Sequence, residues 1–320
     1  MPTRFLVSFG LALGCAAPGM AAPQVATDIA PVHALVARVM GGVGEPALIV
    51  PPGASPHGHS MRPSEAAALA RAEVVFWMGG GLTPWLADSL ETLAGDAHVV
   101  ALLGAGGSTV RSFREGLTFA AADADGHGDD GQGHEEDAPD PRTHEAHDGA
   151  DPHAWLDPAN ARAWLDVIAA ELAGHDPDNA ARYAANAAQA AQELAALENR
   201  VAARLAPVQD TPYLVYHDAY QYFEARFGLA PTGALALGDA ADPGPARIAA
   251  LRDMAREAGI VCVFTEPQFD GSRVTAVFGD TARHGVLDPL ASRHAPGPAL
   301  YPALIEDMAG ALAECLGAGD

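Results

Sequence analysis

The chain has 320 residues, 49% of them hydrophobic, and a formal net charge of −23 at neutral pH. This length allows two domains or one large domain with a substantial core. The strong negative charge disfavours nucleic acid and anionic membrane surfaces as partners, and it favours a cationic ligand.

The first 21 residues have the pattern of a signal peptide. Arg4 precedes an apolar run over residues 5–13, and small residues predict cleavage after Ala21. The apolar run is too short to span a membrane. We therefore expect an exported protein. Cys15 leaves lipid modification open as an alternative, although the leucine usually found three places earlier is missing.

Short apolar strands alternate with amphipathic helices in the first part of the chain. The pattern predicts strands at 24–28, 47–50, 74–77 and 99–103, and helices at 31–40, 65–72 and 82–93. Such alternation is typical of a mainly parallel sheet flanked by helices. We expect an N-terminal α/β lobe over residues 22–120.

Residues 121–151 form an acidic insert with almost no side chain able to pack in a core. Between Asp123 and Asp151 it has eleven acidic residues and one basic residue, Arg142. It also carries four histidines, namely His127, His134, His144 and His147. This composition predicts a solvated, mobile segment. Its histidines are expected to form secondary, weak metal sites, because they lack a pre-organised geometry.

Two helices are predicted between the insert and the rest of the chain. The first covers residues 159–173, and the second is an alanine-rich run from Pro177 to Ala206 with no internal glycine or proline. A helix of about 30 residues is about 45 Å long and can cross a whole domain. We expect residues 152–206 to form a rigid connection between two lobes.

The alternation resumes over residues 207–320, which predicts a C-terminal α/β lobe. Strands are expected at 213–216, 260–265 and 285–287, and helices at 245–258, 274–282 and 302–316. The predicted fold class is therefore α/β, with two lobes that each contain a mainly parallel sheet flanked by helices, joined by a long rigid helix.

Removal of the signal peptide leaves two cysteines, Cys262 and Cys315. In an exported protein such a pair suggests a disulfide. It would close a loop of about 54 residues and contribute about 4 kcal/mol in the chain-entropy account. Two unrelated buried thiols are the alternative.

Three histidines lie where strands end or where the insert meets a helix. His57 comes after the strand at 47–50, His217 directly follows the strand at 213–216, and His153 lies between the insert and the first connecting helix. Ligands of open α/β sheets bind beyond the carboxyl ends of the strands. Asp288 follows the strand at 285–287 in the same way. Because imidazole is a preferred zinc ligand, these positions indicate a metal site.

A catalytic role is the less favoured interpretation. His57 and His59 form a His-x-His pair, but the second Asp-His pair that metallohydrolases need is absent from the sequence. The sequence also lacks a nucleophile elbow, a phosphate loop and a His-Glu-x-x-His motif. These absences disfavour a zinc hydrolase.

The chain resembles the zinc-type metal receptors of bacterial ABC importers, the ZnuA-like periplasmic proteins. The resemblance is carried by PPGASPHGHSMRPS at 51–64, PHAWLDP at 152–158, YHDAYQYFEARFGL at 216–229, VCVFTEPQF at 261–269 and LDPL at 287–290. It extends over nearly the whole mature chain. It implies a monomeric periplasmic receptor that captures Zn²⁺ between two lobes and delivers it to an ABC permease in the inner membrane.

The resemblance also implies the ligands. It makes His57, His153 and His217 the zinc ligands, with Asp288 or a water molecule in the fourth position. Pro56 stands where some zinc receptors carry a glutamate ligand. Manganese-type relatives have a carboxylate in place of the third histidine, and a third imidazole favours zinc over such harder ions.

Further expectations come with this resemblance. Zinc-type members carry a disulfide at the positions of Cys262 and Cys315. Asp157, Asp218 and Glu266 are expected to orient the imidazoles through hydrogen bonds. Two alternative functions stay open, a periplasmic zinc buffer or chaperone with the same fold and site, and a manganese-type receptor.

Overall fold

The computed structural model describes residues 22–114, 119, 149–236, 245–269, 274 and 278–317. The predicted signal peptide lies outside these residues. So do residues 120–148, which contain all four histidines of the acidic insert, and parts of the helix predicted at 274–282.

A parallel four-stranded sheet forms the first lobe. Its strands are β1 (Val25–Thr27), β2 (Ala47–Leu48), β3 (Val74–Trp77) and β4 (His98–Ala101), in the order β2-β1-β3-β4. They alternate with α1 (Ala30–Val39), α2 (Pro63–Leu69) and α3 (Pro84–Leu93). The three apolar residues that open β3, Val74 to Phe76, are fully buried, as expected for an inner strand covered on both faces.

Two helices connect the lobes. α4 (Pro158–His175) begins with a proline in its first turn, and the Asp157 side chain accepts a hydrogen bond from the Ala159 amide at 2.8 Å. α5 (Ala180–Leu205) has 26 residues, so it is about 39 Å long. Its buried side recurs every three or four residues: Tyr183, Ala187, Ala190, Leu194, Leu197, Val201 and Leu205. The predicted long helix is confirmed.

A second parallel four-stranded sheet forms the other lobe. Its strands are β5 (Tyr213–His217), β6 (Gly233–Ala236), β7 (Cys262–Thr265) and β8 (Arg283–Val286), in the order β6-β5-β7-β8. The described helices of this part include α6 (Gln221–Phe227), α7 (Pro245–Glu257) and the C-terminal α8 (Leu300–Gly317). The predicted α/β class with two parallel sheets is confirmed, whereas α6 and β6 were not predicted.

One continuous apolar core joins the two lobes. It includes Leu35 of α1, Leu165 of α4, Leu194 of α5 and Leu304 of α8. Trp155, next to the first connecting helix, donates a hydrogen bond from its indole nitrogen to the Pro289 carbonyl at 2.8 Å. The connecting segment is therefore packed against the second lobe.

The predicted disulfide is present between Cys262 of β7 and Cys315 of α8, whose Cα atoms are 6.0 Å apart. It ties the C-terminal helix to an inner strand of the second sheet. Gly285 on the neighbouring strand β8 is required here, because an added Cβ would overlap the ring of Phe264. In the part of the chain that the structure describes, no helix is both long and apolar enough to cross a membrane.

Candidate metal centre

His153 is held in place by the chain on both sides of the acidic insert. Asp151 is fully buried, and its carboxylate accepts hydrogen bonds from the His153 amide at 2.9 Å and from His153 Nδ1 at 2.7 Å. The Asp151 amide donates to the Arg111 carbonyl at 2.8 Å, and Ser112 pairs antiparallel with Ala150. The strand-like contact between residues 111–112 and residues 150–151 therefore fixes Asp151, and Asp151 fixes His153.

Helix α6 supports the same arrangement from the second lobe. Gln221 donates from its side-chain amide to Asp151 Oδ2 at 2.6 Å and to the Ser112 carbonyl at 2.9 Å. The Tyr222 hydroxyl donates to the Asp151 carbonyl at 2.7 Å and accepts from the Arg111 amide at 2.8 Å. Residues of the second lobe thereby position a histidine that comes from the connecting segment.

His217 is the last residue of β5 and is 3% exposed. Its Nδ1 is 2.5 Å from Oε1 of Glu266, a buried residue that directly follows β7. An ionised carboxylate only accepts hydrogen bonds, so Nδ1 carries the proton in both His153 and His217. In each ring Nε2 then has the lone pair that a metal ion requires.

His57 comes from the first lobe. It lies in the 3₁₀ turn Pro56–Gly58, in the connection between β2 and α2. The Trp85 indole nitrogen of α3 donates to the Pro56 carbonyl at 2.6 Å and fastens this turn. His57 itself is half-buried.

The three predicted histidines lie together. Ring centroids are 5.7 Å apart for His57 and His153, and 5.4 Å apart for His153 and His217. Three imidazoles on one tetrahedral zinc ion, each at 2.0–2.1 Å through nitrogen, would have centroids about 5 Å apart. Among the described residues, no three or more His, Cys, Asp or Glu side chains are already arranged to hold a metal ion. Binding therefore requires the three rings to move closer together or to turn.

A single pocket contains all three rings. Its remaining lining residues are Pro56, Trp155, Glu266, Gln268, Phe269, Pro289 and Leu290. Most of these side chains are apolar or aromatic, and few charged groups face the imidazoles. A cation here would be partly shielded from water, which strengthens its interaction with the ring nitrogens.

Asp288 is placed differently from the histidines. Its carboxylate accepts hydrogen bonds from the Ser292 amide and hydroxyl, both at 2.7 Å, and from the Leu290 amide at 3.2 Å. It lines a separate cavity with His294 and Asp307. The neighbouring Pro289 and Leu290, and not Asp288, line the histidine pocket.

Of the three carboxylates expected to orient imidazoles, Glu266 does so and the other two hold arginines. Asp157 accepts two hydrogen bonds from Arg226, at 2.7 and 2.8 Å, and this pairing raises the pKa of Arg226 above its usual value. Asp218 accepts from Arg114 Nε at 2.9 Å. Burial alone would lower the pKa of Arg114, but the charges of Glu224 and Asp218 raise it.

The sequence reasoning missed Asp151 and assigned it to the solvated insert. A signal was available, because Asp151-Pro152-His153 places a carboxylate two residues before a candidate ligand, within reach of its ring. His59, the other member of the His-x-His pair, lies 2.9 Å from Glu65 and packs edge-on against Trp85. It does not line the histidine pocket.

A protein family and named relatives match most of the chain. The family "Zinc-uptake complex component A periplasmic" matches residues 25–315. A protein of Paracoccus denitrificans named high-affinity zinc uptake system protein ZnuA is 43% identical over 314 residues, which cover 96% of each chain. The protein of the same name from Brucella abortus is 42% identical over 91% of each chain.

Solved structures share the fold. A ZnuA deletion mutant with zinc bound aligns with a TM-score of 0.71 at 23% identity, over 92% of this chain and 98% of that one. The binding protein FpvC of Pseudomonas aeruginosa in complex with Mn²⁺ aligns with a TM-score of 0.74 at 19% identity, over 92% and 99%. Because these identities are low, the structural likeness establishes the architecture and not the metal.

Proposed function

The chain belongs to the family of periplasmic zinc-uptake components, and from this membership we propose that it is a high-affinity zinc receptor. It captures Zn²⁺ in the pocket between the lobes and delivers the ion to an ABC permease in the inner membrane. It acts in the periplasm, as a monomer, without nucleic acid. Its task is capture and release of a cation, without catalysis.

The observation that carries this proposal is the meeting of three imidazoles from three distant parts of the chain. His57, His153 and His217 are the proposed ligands. Two of them have Nδ1 bound to a buried carboxylate, at 2.7 and 2.5 Å, which leaves Nε2 for the ion. Three nitrogen ligands favour zinc over manganese, because manganese prefers carboxylate and other oxygen ligands.

The fourth position has two candidates, Asp288 and a water molecule. The hydrogen bonds from Ser292 and Leu290 to the Asp288 carboxylate would have to break before that group could reach the ion. A water molecule needs no such rearrangement, so it is the better-supported candidate. The four histidines of the insert are proposed as weaker, secondary binding positions.

The test is the affinity of the His153→Ala variant for zinc, measured by calorimetry against a competing chelator. We expect a loss of several orders of magnitude, because both the ligand and its link to Asp151 disappear. A His98→Ala variant, altered at a half-exposed histidine in β4, serves as the control and should bind as the unaltered protein does. Wild-type affinity in His153→Ala would refute the site assignment.

A periplasmic zinc buffer would contain the same site, so the delivery step needs a separate measurement. Cells that lack this protein should grow poorly when zinc is chelated and recover when zinc is added. If chelation has no effect on their growth or zinc uptake, the buffer function is favoured over delivery to an importer.

A further inference from the structure

Gln268 is a half-buried residue whose side-chain amide is enclosed in the histidine pocket. It lines the pocket together with the three histidines. Its amide oxygen and amide nitrogen are both buried, and neither has a hydrogen-bond partner within the described ranges of the chain. A buried amide that makes no hydrogen bond is energetically costly. In native proteins, an ion or an ordered water molecule commonly supplies the interaction that such a group lacks.

The loop after β7 holds Gln268 on the side of the pocket where His217 lies. The Phe269 amide donates to the Glu266 carbonyl at 3.2 Å, so these residues form a tight turn with Gln268 inside it. Glu266 binds His217 Nδ1, and the Phe269 ring lies edge-on to His217 with centroids 5.8 Å apart. Phe269 also stacks on Tyr216 at 4.4 Å. Contacts on both sides of Gln268 thus fix this loop against His217.

Three imidazoles leave one coordination position of a tetrahedral zinc ion to be filled. The Asp288 carboxylate accepts hydrogen bonds from Ser292 and Leu290, and the Pro56 side chain has no atom that can coordinate a metal ion. Gln268 has an amide oxygen in the same pocket without a partner among the described residues. This oxygen can accept a hydrogen bond from a water molecule bound to zinc.

We infer that Gln268 completes the zinc site by holding the water molecule in the fourth coordination position. The inference rests on the proposed zinc-binding function and extends it to a residue outside the three histidines. Gln268 is a positioning residue, because it acts on the ion through the water.

The experiment compares the zinc affinities of Gln268→Ala, Gln268→Leu and Gln268→Glu with that of the unaltered protein. Loss of an outer-shell partner typically weakens metal binding about 10–100-fold, and we expect losses in this range for the Ala and Leu variants. Gln268→Glu should bind at least as tightly as the unaltered protein, because its carboxylate is a stronger acceptor. Gln189→Ala, at an exposed position of α5, is the matched control and should show no change.

The thermal midpoint of the Gln268→Leu protein separates positioning from a purely structural role. Without metal, the midpoint should stay the same or rise, because a buried amide without a partner has been removed. The increase caused by zinc should be smaller than in the unaltered protein. A lower midpoint without metal, combined with an unchanged zinc-induced increase, would overturn the inference.

Two results distinguish the failure of this inference from the failure of the proposed function. If Gln268→Leu binds zinc normally while Asp288→Asn binds weakly, Asp288 fills the fourth position and the inference is wrong. If His153→Ala also binds normally, the histidine pocket is not the zinc site, and the proposed function itself fails.

Discussion

The two sides of the histidine pocket are built differently. On one side, His153 and His217 are 5% and 3% exposed, and each has Nδ1 within 2.7 Å of a buried carboxylate. On the other side, His57 is half-buried on a 3₁₀ turn of three residues. On the first side, which we call the preset side, buried carboxylates orient the histidines before an ion binds. The second side lies in a loop, residues 51–62, in which every residue except Pro56 is half-buried or exposed.

This difference assigns separate tasks to the two sides. Ligands whose orientation is fixed before binding need little reorganisation when the ion arrives. His153 and His217 should therefore supply most of the binding free energy. A half-buried ligand on a loop is more readily displaced than a buried one, so His57 suits the entry and release of the ion.

The largest expected effect is the loss of a preset ligand. His217→Ala should weaken zinc binding by several orders of magnitude, and by more than His57→Ala does. Removal of the His217 ring also leaves the buried Glu266 carboxylate without its hydrogen-bond donor. Calorimetry with a competing chelator measures both affinities. His284→Ala, at an exposed position of β8, is the control.

The dissociation rate gives a second comparison of the same variants. His57→Ala should raise the rate of zinc release, measured by stopped-flow mixing with a chelator. Equal losses of affinity in His57→Ala and His217→Ala would show that the two sides contribute equally, and the division of tasks would then be wrong.

The sequence predicted most of the fold because strong local patterns dominate it. The run Val74–Trp77 is apolar and short, and the alanine-rich run to Leu205 contains no helix breaker, so both elements follow from composition. β6 was not predicted because Gly233–Ala236 contains small residues and no β-branched one. It forms a strand because β5 offers it a parallel edge.

The site was only partly predictable, because local patterns reveal the histidines but not the residues that orient them. The histidines stand out at strand ends, but their supports depend on contacts between residues far apart in the chain. Asp151 is one of eleven acidic residues, and contacts with distant residues, such as Gln221 70 positions later, distinguish it from a solvated acid. No local pattern indicates whether Asp218 holds His217 or Arg114, since that choice depends on where residue 114 lies in the fold.

The second expected effect concerns the stability of the preset side. Cys262→Ala combined with Cys315→Ala should lower the free energy of unfolding by about 4 kcal/mol, because the disulfide closes a loop with a sequence separation of 53. Denaturant unfolding, read by tryptophan fluorescence, measures this loss. Zinc affinity should change little, because Cys262 begins β7, whereas Glu266 follows its other end. A large loss of affinity would mean that the disulfide itself maintains the orientation of His217.

The smallest expected effect tests how the preset side is oriented. Asp151→Asn and Glu266→Gln keep the side-chain shape but offer a weaker acceptor, and their amide nitrogen can face the ring and favour the other tautomer. Each should weaken zinc binding about 10–100-fold, measured by chelator competition, while Asp166→Asn, at an exposed site of α4, should have no effect. A loss as large as that of His217→Ala would mean that these carboxylates bind the ion themselves. Unchanged affinity would mean that burial alone orients His153 and His217.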